Sequence, residues 1–372
     1  MAEEGEESEK IDAYRILFEI LGIVNRIPHD SKLSVYPTDS LVELRAASNL
    51  ILSLNPVLFN FSEKLRQLAD SIMELQSSKP VVRCPVSFVT HRLKFLEVSR
   101  LVSAIESEIQ MFVDRELLLN LKDIISMMRN PTKSADKPSP SEHEAELLDK
   151  MSVLQKRLSR SFDLNFQDSL LRSRIFSELE WILRNQNLSK PLREQAAICI
   201  IALLLFNKDV FVGSIIDGGT VEALVSMGSC CSLLLLSSLI KAIKSPLVDE
   251  LESSGSISYI IDYLSSEEVD TRSMALYCIM QIVHFGRKEA VEALINSSLI
   301  RKLVELQRMG EKQPLFLGCL TRFVVQLEVG EGVRQRDAKI LKVKILNKVR
   351  EASACEAEFA AFVAEILWGS SL

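Results

Sequence analysis

Four histidines (His29, His91, His143 and His284) and seven cysteines are the side chains best suited to hold a metal or attack a substrate. A zinc site built on them would need close spacing such as C-x-x-C, or two histidines one helical turn apart. No two of these residues fall in such a pattern, and the adjacent Cys230 and Cys231 suit neither a zinc site nor an easy disulfide. No serine or cysteine stands in a nucleophile context such as G-x-S-x-G. Neither of the glycine-rich phosphate loops, G-x-x-x-x-G-K-S/T or G-x-G-x-x-G, occurs. The expectation is a chain without catalytic residues, metal or cofactor, hence no enzyme and no small-molecule substrate.

One stretch concentrates charge instead. Val333–Arg350 carries Arg334, Arg336, Lys339, Lys342, Lys344, Lys348 and Arg350 against one acid, Asp337. Its apolar stripe is Ile340, Leu341, Val343, Ile345, Leu346 and Val349. Arg336, Lys339, Lys342 and Lys344 form a candidate basic patch for acidic protein, anionic lipid or nucleic acid. The alternative is the solvated back of a packed helix. Over the whole chain the net charge is −6, which argues against general nucleic-acid affinity, because that needs a basic footprint to displace counterions.

The positioning elements are helices that repeat. Val248-x-x-Leu251 recurs 43 residues later as Val291-x-x-Leu294, and Ile257-x-x-Ile260-Ile261 as Ile300-x-x-Leu303-Val304. Stepping back 36 residues gives Val212-x-x-Ile215 and Val221-x-x-Leu224-Val225. A long helix echoes at 79 residues, the total of those two spacings: Arg272-x-x-Ala275-x-x-Cys278-Ile279 matches Arg193-x-x-Ala196-x-x-Cys199-Ile200. A helical period near 40 is the signature of an α-solenoid, whose stacked units bury a continuous core and leave an extended binding surface.

At 372 residues the chain exceeds one ordinary core. Residues 1–10, MAEEGEESEK, read as an acidic disordered N-terminus and fit neither a signal peptide nor a transit peptide. Residues 11–129 carry helical stripes, including a heptad seam at Leu58, Phe61, Leu65, Leu68, Ile72 and Leu75, and predict an antiparallel bundle of about four or five helices. Separate helices are expected over Phe88–Phe112 and Glu116–Met128. Residues 130–141 read as a Pro/Ser linker holding a candidate phosphorylation segment, Ser139-Pro140. Residues 142–372 are then the repeat domain. Within it Leu170–Arg184 reads as one helix, and Ser189 and Ser245-Pro246 as cap-then-proline helix starts. The fold class is all-α. The apolar runs Ile198–Phe206 and Leu233–Leu236 fall far short of the roughly 20 residues needed to cross a bilayer. With reduced, core-type cysteines, this sets the expected location as cytoplasmic or nuclear.

Three segments carry a family resemblance: REQAAICIIALL at Arg193–Leu204, TRSMALYCIMQIV at Thr271–Val283, and the flanking GSISYIIDYLS and SLIRKLVELQ. They resemble armadillo repeats, in the style of the armadillo-repeat proteins of plants, and cover a little over half the chain. The N-terminal part is similar to the helical region ahead of the U-box in plant U-box/armadillo ubiquitin ligases. Val82-Arg83-Cys84-Pro85-Val86-Ser87 imitates the opening of a U-box, but the helical FVTHRLKFLEVSRL follows in place of the box. In peptide-binding armadillo proteins, asparagines on the third helix pin a peptide backbone, with a tryptophan one turn earlier. The matching positions here are Ala202, Ser238 and Gln281, and Ile198, Leu234 and Tyr277. The resemblance implies a non-catalytic scaffold or adaptor binding a protein partner along a groove at Ser238, Lys241, Tyr277, Gln281 and His284. It also leaves a second reading, an accessory or substrate adaptor in ubiquitin transfer.

Overall fold

The computed structural model describes residues 59–77, 85–129, 140–310 and 313–368. The expectations for residues 1–58 and for the linker core at 130–139 lie outside the described residues. The chain divides into two compact units, Met1–Leu117 and Leu118–Leu372.

In the first unit, α1 (Phe59–Ser77) buries Phe61, Leu65, Leu68 and Ile72, members of the heptad seam seen in the sequence. Its partner is α2 (Pro85–Arg129), which buries Val98, Val102, Ile105 and Ile109 at the same alternating spacing of three and four. Glu74 pairs with Lys94 at 3.1 Å, and Lys64 pairs with Glu108. As one strand of pairs ascends the other descends, so the two helices are antiparallel. α2 is one helix of 45 residues, where the sequence predicted two. The junction Val113-Asp114-Arg115 holds no glycine or proline, and Asp114 does not act as a cap: Gln110 donates to it at 2.7 Å across one turn, within a continuous helix.

The second unit is a stack. α3 (Pro140–Leu158) buries Leu147, Met151, Leu154 and Leu158 and lies against α6. Helix triplets follow: α4 (Leu164–Ser173), α5 (Ile175–Arg184), α6 (Lys190–Phe206); then α7 (Lys208–Asp217), α8 (Thr220–Met227), α9 (Cys230–Ile243). Next come α10 (Ser245–Ser253), α11 (Ser256–Asp262), α12 (Val269–Phe285), and finally α13 (Lys288–Asn296), α14 (Leu299–Met309), α15 (Cys319–Val329). α16 (Gln335–Ala352) packs on α13, α14 and α15, and α17 (Glu356–Trp368) closes on α15 and α16. Among the described residues there is no strand.

The period is written into the hydrogen bonds between neighbours. Gln195 donates to Gln155 and Asn207 to Gln167, each 40 residues apart, at 2.9 and 2.6 Å. Tyr263 donates to the Val225 carbonyl across 38 residues, and Lys302 to the Ile261 carbonyl across 41. His284 meets Gln326 across 42. Contacts between units thus recur at a separation near 40 residues, which, with the helix triplets, defines an α-solenoid of armadillo-like repeats.

The short 36-residue step lies at the second triplet. α8 has only 8 residues and turns at once into α9 through Gly228, in the left-handed region at φ 56°. A Cβ there would sit 2.3 Å from the Tyr263 hydroxyl, so only glycine fits. Ser229 then caps α9 reciprocally with Ser232. Two local expectations need correction. Leu170–Arg184 is broken into α4 and α5 at Arg174, which takes φ 53°. Ser245 does not cap α10; its hydroxyl donates to the Phe285 carbonyl at 2.7 Å, stitching two repeats together.

Candidate binding groove on the third helices

α6, α9, α12 and α15 are consecutive neighbours, so their outward residues form rows. The repeat spacing aligns Ile198 with Leu234 and Tyr277, Ala202 with Ser238 and Gln281, and Leu205 with Lys241 and His284. Core residues at the intervening positions, Cys199, Leu203, Leu236, Ile240, Cys278 and Ile282, are buried and hold the rows in place.

The structure brings Lys241 and Tyr277 together. The lysine ammonium donates to the Tyr277 hydroxyl, joining adjacent repeats. No carboxylate among the described residues pairs with Lys241. Ser238 donates its hydroxyl to the Leu234 carbonyl at 3.0 Å, within its own helix, so only its acceptor capacity faces outward. Gln281 is half-buried and its amide makes no hydrogen bond among the described residues. His284 is half-buried, with Nδ1 2.9 Å from the Gln326 amide oxygen and its ring edge-on to Phe285. Its carbonyl accepts the Glu331 N–H at 2.7 Å, so it belongs to the α12–α15 junction.

Two features of this face were missed in the sequence. Lys244, just past α9, pairs with Glu331 at 2.7 Å across 87 residues and holds that carboxyl below the ordinary range. At the α6 end, a cavity of 490 Å³ opens between α3 and α6. Its apolar lining includes Phe162, Ile198, Ile201 and Leu205, with Arg160 at the edge. The available signal was the apolar Leu205 standing in a row that continues with Lys241 and His284.

The basic patch is divided by the fold. Lys342 pairs with Glu328 and Lys344 with Glu292, each at 2.6 Å, and Asp337 takes Lys288 at 3.3 Å. The Lys344 ammonium holds the Glu292 carboxyl below its ordinary range. Arg336 and Lys339 are exposed and have no ion pair among the described residues. The predicted apolar stripe also splits: Leu341, Ile345 and Val349 are buried, while Ile340 and Val343 face outward.

The thiols of Cys199, Cys278 and Cys319 are buried, and burial pushes each up to about 12. Cys199 donates to the Met151 carbonyl and Cys319 to the Leu303 carbonyl, so these serve as core groups and not nucleophiles. Among the described residues, no group of three or more His, Cys, Asp or Glu side chains is placed to share a metal ion. No single described helix is long and apolar enough to cross a membrane. One bent pair, α7 with α8, passes on length and composition, and it buries Phe211, Ile215, Val221 and Leu224 in the repeat core.

No protein-family model matches the chain, and no curated protein matches it. Among solved structures, a designed armadillo repeat protein is 16% identical over 67% of this chain and 100% of its own, with a TM-score of 0.44. Another designed armadillo repeat protein, in complex with peptide (KR)4, is 17% identical over 66% of this chain and 99% of its own, also at 0.44. An engineered protein is 12% identical over 94% of this chain and 98% of its own, at 0.39. These likenesses are too loose to carry a conclusion; the armadillo-like assignment rests on the ladder of bonds one repeat apart.

Proposed function

We propose that this chain is a non-catalytic interaction scaffold that binds a protein partner along the third-helix face, centred on Ser238, Lys241, Tyr277, Gln281 and His284. Stacked helical repeats present such a face as an extended concave surface. The observation that carries the reading is Lys241, an exposed cation held by the Tyr277 hydroxyl with no acid paired to it among the described residues. Separately buried, hydrogen-bonded thiols at Cys199 and Cys319 fit a reducing compartment, the cytosol or nucleus. No observation favours ubiquitin transfer.

A photo-crosslinking amino acid at Gln281 tests the proposal, with the same group at Tyr259 on α11 as control; Tyr259 is exposed on the second helix of the same repeat. Partner crosslinks from Gln281 but not Tyr259 support the groove. Equal crosslinking from both positions removes it.

A further inference from the structure

The two ends of the third-helix face differ in chemistry, and the difference defines what kind of peptide fits. At the α6 end the cavity of 490 Å³ has room for a large apolar side chain. Leu205 is 73% exposed at its mouth and Phe162 is 55% exposed, leaving apolar surface in water that a ligand would cover. Arg160 is the one charged residue in the lining. Toward α9, the row occupied by Leu205 continues with Lys241. Both cations are exposed and neither pairs with a carboxylate among the described residues.

Adjacent packed helices lie about 8–10 Å apart, and an extended chain advances about 3.3 Å per residue. One repeat is thus crossed by about three residues of peptide. Resting on the groove proposed above, we propose that the ligand is an extended peptide with a large apolar side chain seated between α3 and α6. It carries an acidic side chain about three residues away against Lys241, and tolerates another acid beside Arg160. The apolar anchor supplies burial, and the acid supplies selectivity, since a basic peptide would set like charge on Lys241.

A displayed random-peptide library panned on the full chain tests this, with the Leu205→Asp variant as counter-selection. Leu205 is mostly exposed, and an unchanged melting curve checks that the variant folds. The expected result is enrichment of sequences pairing one Leu, Phe or Trp with Asp or Glu two to four positions away. Leu205→Asp should weaken such a peptide by about tenfold or more, as loss of a buried anchor does. Lys241→Glu should reverse the preference to a Lys at the same place. No enrichment, enrichment of basic sequences, or binding indifferent to both variants overturns the proposal. Gln281 crosslinks that persist unchanged in Leu205→Asp would remove the anchor and leave the groove. Loss of the Gln281 crosslinks in wild-type protein would remove both.

Discussion

On the third-helix face Lys241 ends on a tyrosine hydroxyl, whereas on α16 Lys342 and Lys344 each end on a glutamate. The residue type is the same and the surroundings are opposite. The stack decides which. α16 closes against three helices whose acids, Glu292 and Glu328, meet its lysines, while the row containing Lys241 has Leu205 on one side and His284 on the other. The number of lysines on a helix is therefore no measure of its free charge: of the four basic residues singled out on α16, Lys342 and Lys344 are paired, and Arg336 and Lys339 have no ion pair among the described residues.

The comparison can be broken most severely from beneath. Phe323→Ala on α15 removes a fully buried ring, and should cost about 3–5 kcal/mol in chemical denaturation. A smaller loss would mean that the repeats do not share one core. Next is Gly228→Ala, which sets a Cβ against Tyr263 in a left-handed backbone, and should cost about 1–3 kcal/mol. The third prediction concerns pH. Arg308, then the Ala354 N–H, hold the Glu358 carboxyl down to about 2 from an ordinary 4.5. A depressed carboxyl stabilises the fold above its unfolded value and loses that contribution as pH falls through the folded one. Melting temperatures of wild type should thus fall relative to Glu358→Gln between about pH 4.5 and 2, by an amount worth at most about 1 kcal/mol for so accessible a pair. Smallest is Lys344→Ala, expected to leave the denaturation midpoint almost unchanged because its bridge to Glu292 is exposed. Lys241→Ala should be as quiet in denaturation yet weaken partner binding, and that contrast separates the two lysines.

The repeat was legible because its signal is local: Arg272-x-x-Ala275-x-x-Cys278 and its echo at Arg193 specify which helix face is buried. The heptad at Leu65, Leu68 and Ile72 was legible for the same reason. What escaped depends on distant partners. Lys344 meets Glu292 across 52 residues and Lys342 meets Glu328 across 14, distances that a helical pattern does not encode. The pairing of His284 escaped because its partner, Gln326, lies one repeat away along the chain. Arg174 gave no warning of its left-handed turn, since arginine is an ordinary helix residue. The groove positions came from alignment of the rows, but the cavity beside Leu205 needed α3, whose place beside α6 the aligned motifs do not include.

The bridge from Lys244 to Glu331 has a consequence for how the stack comes apart. Bonds one repeat long make each unit depend on its immediate neighbours, so fraying can begin anywhere and spread stepwise. A contact spanning 87 residues is a next-nearest-neighbour coupling. Being exposed on both sides, at 48% and 55%, the clasp is weak and is loosened further by salt, so it ties next-nearest repeats together only lightly, and most at low ionic strength.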